Sequence, residues 1–135
     1  MQKIRVLVAD DNEAVRENLS RLLDLEDDIQ VIDIAVDGIE VCKKVNEIRP
    51  DIILMDVVMP KMDGIEATRR IRKDNPSTRV IMLSVYDRQK YVKSSMEAGA
   101  SAYVVKGSSF DELVDAIRRT YKEQQSKIRA TSTGE

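Results

Sequence analysis

The chain has 135 residues, of which 42% are hydrophobic and 34% are charged, and its net charge is −2. This length suits one domain with one hydrophobic core, and the charge argues against direct nucleic-acid binding, which needs clustered positive charge. No apolar run approaches the roughly 20 residues of a membrane span, and no signal peptide pattern precedes the first charged segment. One cysteine, Cys42, excludes an internal disulfide, so we expect a cytoplasmic domain without membrane contact.

Short apolar runs alternate with helical stretches five times along the chain. The predicted strands are 3–9, 30–35, 51–55, 79–84 and 101–105, and the predicted helices are 12–26, 38–48, 64–74, 88–97 and 109–123. The helices show apolar residues at one-face spacing, as in Val15, Leu19, Leu22 and Leu23. Strict βα alternation predicts an α/β fold, with a parallel sheet covered by helices on both faces and joined by right-handed crossovers.

The last part of the chain changes character after the fifth helical pattern. Residues 122–135 are polar and lack a repeating apolar face. We interpret them as a fraying helix end followed by a linker or tail, which places the folded domain at residues 1–121.

Aspartates stand where two of the predicted strands end. Asp10 and Asp11 follow the apolar run 4–9, and Asp56 follows the run 52–55. Because ligands of open α/β sheets bind at the carboxyl ends of the strands, we expect the three carboxylates to converge there. Their mutual repulsion favours a bound cation, and Mg²⁺ prefers such oxygen ligands; the alternative is that Asp11 caps a helix and Asp56 merely ends a strand.

Two further polar residues end the fourth and fifth predicted strands. The Ser84 hydroxyl can bond a phosphoryl oxygen or simply cap a turn. Lys106 follows the run 102–105, where an unpaired ammonium would be expensive, so we expect the aspartates to be its partner rather than solvent. The chain contains no histidine, which removes the commonest general base and zinc ligand and any phosphohistidine step within the chain itself.

Together these motifs resemble the receiver domain of bacterial response regulators in two-component signalling. The resemblance covers residues 3 to about 121 and rests on the segments 8–12, 51–64, 83–84 and 99–106. It is greatest to the NarL/FixJ-type receivers. The resemblance implies a flavodoxin-like, doubly wound parallel sheet of five βα units with strand order 2-1-3-4-5.

The resemblance also implies the roles of the acidic residues. Asp56 would be the phosphoacceptor, taking a phosphoryl group from a phosphohistidine on a partner histidine kinase. Asp11, Asp56 and the backbone carbonyl of Val58 would bind Mg²⁺ directly, and Asp10 would contribute through water. Mn²⁺ accepts the same ligands, so the ligand set does not separate the two metals.

The remaining motif residues would convert phosphorylation into a conformational change. Lys106 would pair with the phosphoryl oxygens after transfer, Ser84 would move to bond the phosphoryl group, and Tyr103 would swing inward behind it. Such a protein is a signalling switch rather than an enzyme, because it catalyses only its own phosphoryl transfer and dephosphorylation.

The resemblance extends to partners and output. NarL/FixJ-type regulators continue into a DNA-binding domain, so this chain is either a single-domain receiver or part of a longer transcription regulator. Receivers often dimerise or meet their output domains on the last helix, which makes a homodimer through Arg118, Arg119 and Tyr121 a hypothesis.

One position departs from the family's common pattern, and two others bear on the lifetime of the phosphoryl group. Many receivers have proline after the lysine, but Gly107 follows here, which leaves the local backbone shape open. Val58 and Tyr86 are expected to flank the acceptor, and their bulk predicts slow entry of water and a long-lived phosphoryl group.

Other α/β proteins fit the motifs less well. A flavodoxin-type electron carrier needs a phosphate loop where this chain has aspartates, and an aspartate phosphatase needs an acid where it has Val58. The glycine pattern of a dinucleotide enzyme is absent. A pure interaction module with an inactive acceptor site remains the alternative within the receiver family.

Overall fold

In the residues that the computed structural model describes, 2–86 and 89–133, five strands alternate with five helices. The strands are β1 (Ile4–Ala9), β2 (Ile29–Ala35), β3 (Ile52–Met55), β4 (Arg79–Ser84) and β5 (Ala102–Val105). The helices are α1 (Glu13–Asp24), α2 (Gly38–Ile48), α3 (Gly64–Asp74), α4 (Gln89–Glu97) and α5 (Phe110–Thr133). The predicted strands are confirmed to within one residue at each end; the predicted start of the fourth helix, residue 88, lies outside the described residues.

The strands form one parallel sheet in the order β2-β1-β3-β4-β5, which confirms the flavodoxin-like arrangement. Ala9 of β1 is in register with Met55 of β3, so the residues that follow them emerge side by side. Ser84 of β4 is likewise in register with Val105 of β5. The register therefore brings the polar residues at the carboxyl ends of four strands to one edge of the sheet.

Two apolar layers cover the sheet because successive strand side chains point to opposite faces. On one face, Leu7 and Ile53 pack against Val41 of α2 and Ile71 of α3. On the other face, Val6 and Leu54 pack against residues of α1 and α5, including Leu23, Leu113 and Ile117. Burial on both faces explains why the central strands read as continuous apolar runs in the sequence.

Local side-chain bonds define the helix starts. The carboxylate of Asp37 accepts a hydrogen bond from the Glu40 amide at 2.8 Å, and that of Asp63 accepts one from the Glu66 amide at 2.9 Å. The Ser109 hydroxyl accepts from the Glu112 amide at 3.2 Å. These bonds satisfy amides that have no partner within the helix.

The predicted end of the last helix is wrong, because α5 continues to Thr133. Residues 122–130 contain good helix formers and no glycine or proline, so helix persists without an apolar face. Gln124 is almost fully buried, and its side-chain amide donates to the carbonyls of Asp51 at 3.2 Å and Ser77 at 2.6 Å. The domain boundary at residue 121 stays a prediction.

Across the described part of the chain, none of the helices has the length and apolar character needed to cross a bilayer.

Candidate functional site at the carboxyl edge of the sheet

The predicted acidic cluster exists. Asp10, Asp11 and Asp56 each bring a carboxylate oxygen to within 4.8 Å of the others. The β1–β3 register explains this convergence, since Asp10 and Asp56 directly follow the paired residues Ala9 and Met55. Asp10 is buried, Asp56 is half-buried and Asp11 is exposed, so the cluster opens to solvent at Asp11.

Lys106 is the counter-charge of this cluster, as expected. Its Nζ donates to Oδ2 of Asp10 at 2.7 Å and to Oδ2 of Asp56 at 3.4 Å. Its backbone amide donates to the carbonyl of Ser84 at 2.7 Å, which places the lysine at the strand edge. Burial lowers the pKa of Lys106, but the hydrogen bond that Lys106 donates to Asp10 and the charges of both aspartates outweigh this effect, and the net pKa is raised. The ammonium therefore stays protonated at neutral pH.

Asp56 is the carboxylate of the site whose pKa is raised. Burial, and after it the negative charge of Asp10, raises the pKa of Asp56, while Lys106 and the Val58 amide oppose the shift. The ionised form of Asp56 is thus less favourable than that of an exposed aspartate. The positive charge of Lys106 does not fully offset the cost of burying this carboxylate beside Asp10. An additional cation at this position would lower the energy of the ionised form.

The donor set fits a hard divalent cation. Both carboxylate oxygens of Asp10 are engaged, Oδ1 by the Asn12 amide at 2.9 Å and Oδ2 by Lys106. The Asp11 carboxylate is exposed, and the backbone of Val58 lies beside Asp56, with its amide 3.4 Å from Oδ1. Oxygen ligands from a few carboxylates, open to water on one side, match the preference of Mg²⁺ and Mn²⁺. The cluster can therefore hold a metal ion.

Ser84 and Tyr103 both contact the loop between β4 and α4. Ser84 is fully buried, and its Oγ accepts a hydrogen bond from the Tyr86 amide at 3.1 Å. The Tyr103 hydroxyl donates to the carbonyl of the same residue, Tyr86. The two residues expected to act as the switch are thus joined through one loop residue.

An apolar rim borders the site. We use this name for Val58, Val85 and Tyr86, which are all exposed although they are large and hydrophobic. Val58 belongs to the loop after β3, and the other two follow β4 directly. The Tyr86 ring contacts that of Tyr91, with ring centroids 5.0 Å apart, so the rim is partly braced by α4.

The backbone after Lys106 has a defined form. Gly107 has a φ of +99°, in the left-handed region that glycine tolerates, and none of the described peptide bonds is cis. A trans peptide followed by this glycine turns the chain toward Ser108, with which Lys106 forms an isolated bridge. This answers the question that the missing proline left open.

The first contact that the sequence did not reveal is made by Gly64. A Cβ built on Gly64 would lie 2.0 Å from the carbonyl oxygen of Asp56 and 2.9 Å from Cγ of Met55. The amide of Gly64 also donates to the Val57 carbonyl at 2.8 Å. The start of α3 therefore packs directly on the backbone of the candidate acceptor.

Replacing Gly64 by alanine is expected to lower the free energy of unfolding by about 2 kcal/mol, because the methyl group clashes with backbone that cannot rotate away. Alanine favours a helix over glycine, so propensity acts in the opposite direction. Chemical denaturation measures the change. Gly107→Ala is the comparison, since its Cβ meets nothing within 4 Å and only the positive φ is penalised. A Gly64 variant as stable as the wild type would contradict the packing.

The second missed contact is made by Arg16, whose Nη1 donates to the backbone carbonyl of Asp10 at 2.8 Å. Nothing in the sequence pattern marks Arg16, because side-chain bonds to a carbonyl depend on the path of the turn between β1 and α1.

Comparison with known proteins assigns the family. A family model described as the response regulator receiver domain matches residues 6–118. The chain belongs to this family of receiver domains. Membership confirms the resemblance seen in the sequence and decides against a flavodoxin-type carrier, an aspartate phosphatase and a dinucleotide enzyme.

Curated relatives of the receiver include VraR proteins. The chain is 40% identical over 119 residues to the response regulator protein VraR of Staphylococcus epidermidis, covering 88% of this chain and 57% of that protein. It is 41% identical over 117 residues to VraR of Staphylococcus aureus, covering 87% and 56% respectively. The receiver thus spans little more than half the length of these relatives.

Solved structures show the same architecture. A LuxR-family two-component response regulator from Aurantimonas superposes with a TM-score of 0.87 at 34% identity, over 90% of this chain and 87% of that chain. The receiver domain of a putative response regulator NarL from Mycobacterium tuberculosis superposes with a TM-score of 0.86 at 32% identity, over 90% and 98%. A DNA-binding response regulator of the LuxR family from Staphylococcus aureus gives 0.83 at 27% identity, over 87% and 98%.

Proposed function

We propose that Asp56 accepts a phosphoryl group from a phosphohistidine of a separate histidine kinase, and that phosphorylation changes the conformation of the receiver. The observation that carries the proposal is the joint contact of Lys106 with Asp10 and Asp56 inside the carboxylate cluster. The phosphohistidine donor lies outside these 135 residues, because they contain no histidine.

In the transfer, an oxygen of the Asp56 carboxylate attacks phosphorus while the bond from phosphorus to the donor's imidazole nitrogen breaks. The product is an aspartyl phosphate, and the imidazole leaves with the electron pair of the broken bond. Asp11, Asp56 and the carbonyl of Val58 would hold Mg²⁺, or Mn²⁺ in its place, with Asp10 acting through water. When bound, the metal supplies positive charge that offsets the charge on the phosphoryl oxygens.

Lys106 supplies the other positive charge. Its ammonium already bridges Asp10 and Asp56, so it lies within reach of a phosphoryl group on Asp56. After transfer, Lys106 pairs with the new phosphoryl oxygens and keeps its bond to Asp10. The lysine therefore stabilises the product without moving far.

The switch acts through the loop after β4. A phosphoryl group offers the Ser84 hydroxyl a stronger, charged acceptor, and bonding to it competes with the present contact to the Tyr86 amide. Because the Tyr103 hydroxyl bonds the carbonyl of the same residue, a shift of this loop also changes the position of Tyr103. One charge change thus reaches α4 and β5.

The signal passes to an output that lies beyond the receiver fold. The VraR relatives are nearly twice as long as the matched region, and one structural relative is described as DNA-binding. We infer transcription control through a DNA-binding domain, with a homodimer through α5 as a further element of the proposal. The receiver performs only its own phosphorylation and dephosphorylation, and we place it in the cytoplasm.

Incubation with a small phosphodonor and Mg²⁺, followed by intact-mass measurement, tests the acceptor role. We expect the wild type to gain one phosphoryl group and Asp56→Asn to gain none. Asp63→Asn is the matched control, since asparagine also caps a helix and leaves α3 intact. Labelling of Asp56→Asn at the wild-type level, or of neither protein, would overturn the proposal.

The apolar rim is expected to slow hydrolysis of the aspartyl phosphate. Val58→Asn combined with Tyr86→Ala opens the site to water, and we predict a roughly tenfold faster decay, equivalent to about 1.4 kcal/mol in the barrier. The decay of phosphorylated protein after donor removal gives the rate. Ile39→Asn, an exposed apolar residue on α2, is the control and should not change it. An unchanged rate in the double variant would contradict a role for the rim.

A further inference from the structure

Arg16 makes a contact at the site that the phosphoryl chemistry above does not use. The residue lies in the first turns of α1, and its backbone amide donates to the Asn12 carbonyl at 3.1 Å. Its partly buried guanidinium turns back and donates to the carbonyl oxygen of Asp10 at 2.8 Å. Among the contacts of the described residues, no carboxylate forms an ion pair with Arg16. The guanidinium charge is therefore directed at a backbone atom.

The hydrogen bond from Arg16 supplies the last missing partner of Asp10. The Asp10 amide donates to the Ala35 carbonyl at 3.1 Å, Oδ1 accepts from the Asn12 amide and Oδ2 accepts from Lys106. With Arg16 on the carbonyl oxygen, every polar group of this buried residue has a partner. Asp10 is consequently held in one orientation from four directions.

Asp11 is held differently. Its side chain is exposed, and no hydrogen bond or ion pair joins its carboxylate to another described residue. The carboxylate nevertheless lies within 4.8 Å of those of Asp10 and Asp56. No side-chain contact among the described residues therefore positions this carboxylate, and its place in the cluster depends on where the backbone puts the Cα of Asp11.

The carbonyl bonded by Arg16 belongs to the planar peptide unit between Asp10 and Asp11. Fixing that oxygen restrains the plane, which contains the backbone N and Cα of Asp11, and so fixes the point from which the Asp11 side chain leaves the backbone. We propose that Arg16 is the positioning residue of the metal site, holding this peptide so that the Asp11 carboxylate faces Asp56. The inference rests on the proposed function, because it takes the three carboxylates to be a metal site.

The direction in which cation affinity changes on removal of Arg16 distinguishes a role in orientation from a purely electrostatic one. If the guanidinium acted only as a charge near the carboxylates, its removal would strengthen cation binding. If it orients Asp11, its removal weakens cation binding, as loss of groups that orient metal ligands commonly does by 10- to 100-fold. The direction of the change therefore separates the two roles.

The experiment measures Mn²⁺ binding by electron paramagnetic resonance, without any phosphodonor. Mg²⁺ is then added as a competitor. We expect Arg16→Gln to bind Mn²⁺ about tenfold more weakly than the wild type. Arg16→Lys keeps the charge but not the planar fork, so its affinity should fall in between. Arg21→Gln is the matched control on the same helix, since within the described part of the chain Arg21 bonds the Asn18 side chain and no group of the site, and it should bind as the wild type.

A second readout is the Mg²⁺ concentration that half-saturates phosphorylation, which should rise in Arg16→Gln while the rate at saturating Mg²⁺ is kept. Unchanged or tighter Mn²⁺ binding by Arg16→Gln would overturn the inference and leave the proposed function standing. If that variant does not fold, Arg16→Lys decides, and wild-type affinity in it would overturn the inference. A wild type that does not bind Mn²⁺ would overturn the metal site itself.

Discussion

Lys106→Met is expected to lower the free energy of unfolding by about 3 kcal/mol at neutral pH without divalent ions, because it removes one partner of a largely buried ion pair. The Asp10 and Asp56 carboxylates then face each other without their cation. Both side chains are mostly shielded from solvent, so water screens this repulsion poorly. Added Mg²⁺ should recover much of the lost stability, since it supplies positive charge to the same oxygens.

Urea denaturation with and without Mg²⁺ measures this effect. Lys61→Met is the matched control: the Lys61 side chain is 70% exposed, and its Nζ lies 3.8 Å from Asp37. A surface ion pair of this kind contributes at most about 1 kcal/mol. Equal losses in the two variants, or a Lys106→Met loss that Mg²⁺ does not reduce, would contradict the electrostatic account.

Asp56→Asn should have the opposite effect and raise the free energy of unfolding by about 1 kcal/mol at neutral pH without metal. Burial and the charge of Asp10 raise the pKa of Asp56, so the ionised carboxylate opposes folding. The amide keeps the shape of the side chain and removes its charge. The same change should abolish most of the stabilisation by Mg²⁺, because a metal ligand is lost.

The pH dependence follows from the direction of the shift. A group with a raised folded-state pKa favours folding below its unfolded pKa, which is near 3.9 for aspartate, and that contribution is lost as the pH rises through the folded value. The advantage of Asp56→Asn is therefore full at neutral pH and shrinks as the pH falls toward about 4. Denaturation curves across this range test it, and an advantage that grows in acid would contradict the raised pKa of Asp56.

Much of the fold could be predicted because buried strands have recognisable apolar sequences. The central strand β3 is apolar on both faces, which gives an unbroken run, and the aspartates at the strand ends interrupt such runs. The pairing of Lys106 with the aspartates was predictable from the desolvation of its charge. The strand order came from the family resemblance, since the residues alone do not decide which strands are neighbours.

Other features depend on three-dimensional contacts that no local pattern encodes. The end of α5 is not predictable from periodicity, because residues 122–130 stay helical without an apolar face. Gln124 is a polar residue, yet it is almost fully buried and its side-chain amide bonds two backbone carbonyls from distant segments. The bond from Arg16 to the Asp10 carbonyl and the contact of Gly64 with the Asp56 carbonyl are likewise contacts with backbone, which the sequence does not show.

Calorimetric titration with Mg²⁺ tests most directly whether the carboxylate cluster is built to hold a cation. We predict that the wild type binds one Mg²⁺ per chain, and that Asp11→Asn and Asp56→Asn each weaken binding strongly, whereas Asp63→Asn leaves it unchanged. A wild type that takes up no Mg²⁺, or variants that bind it as well as the wild type, would contradict the account.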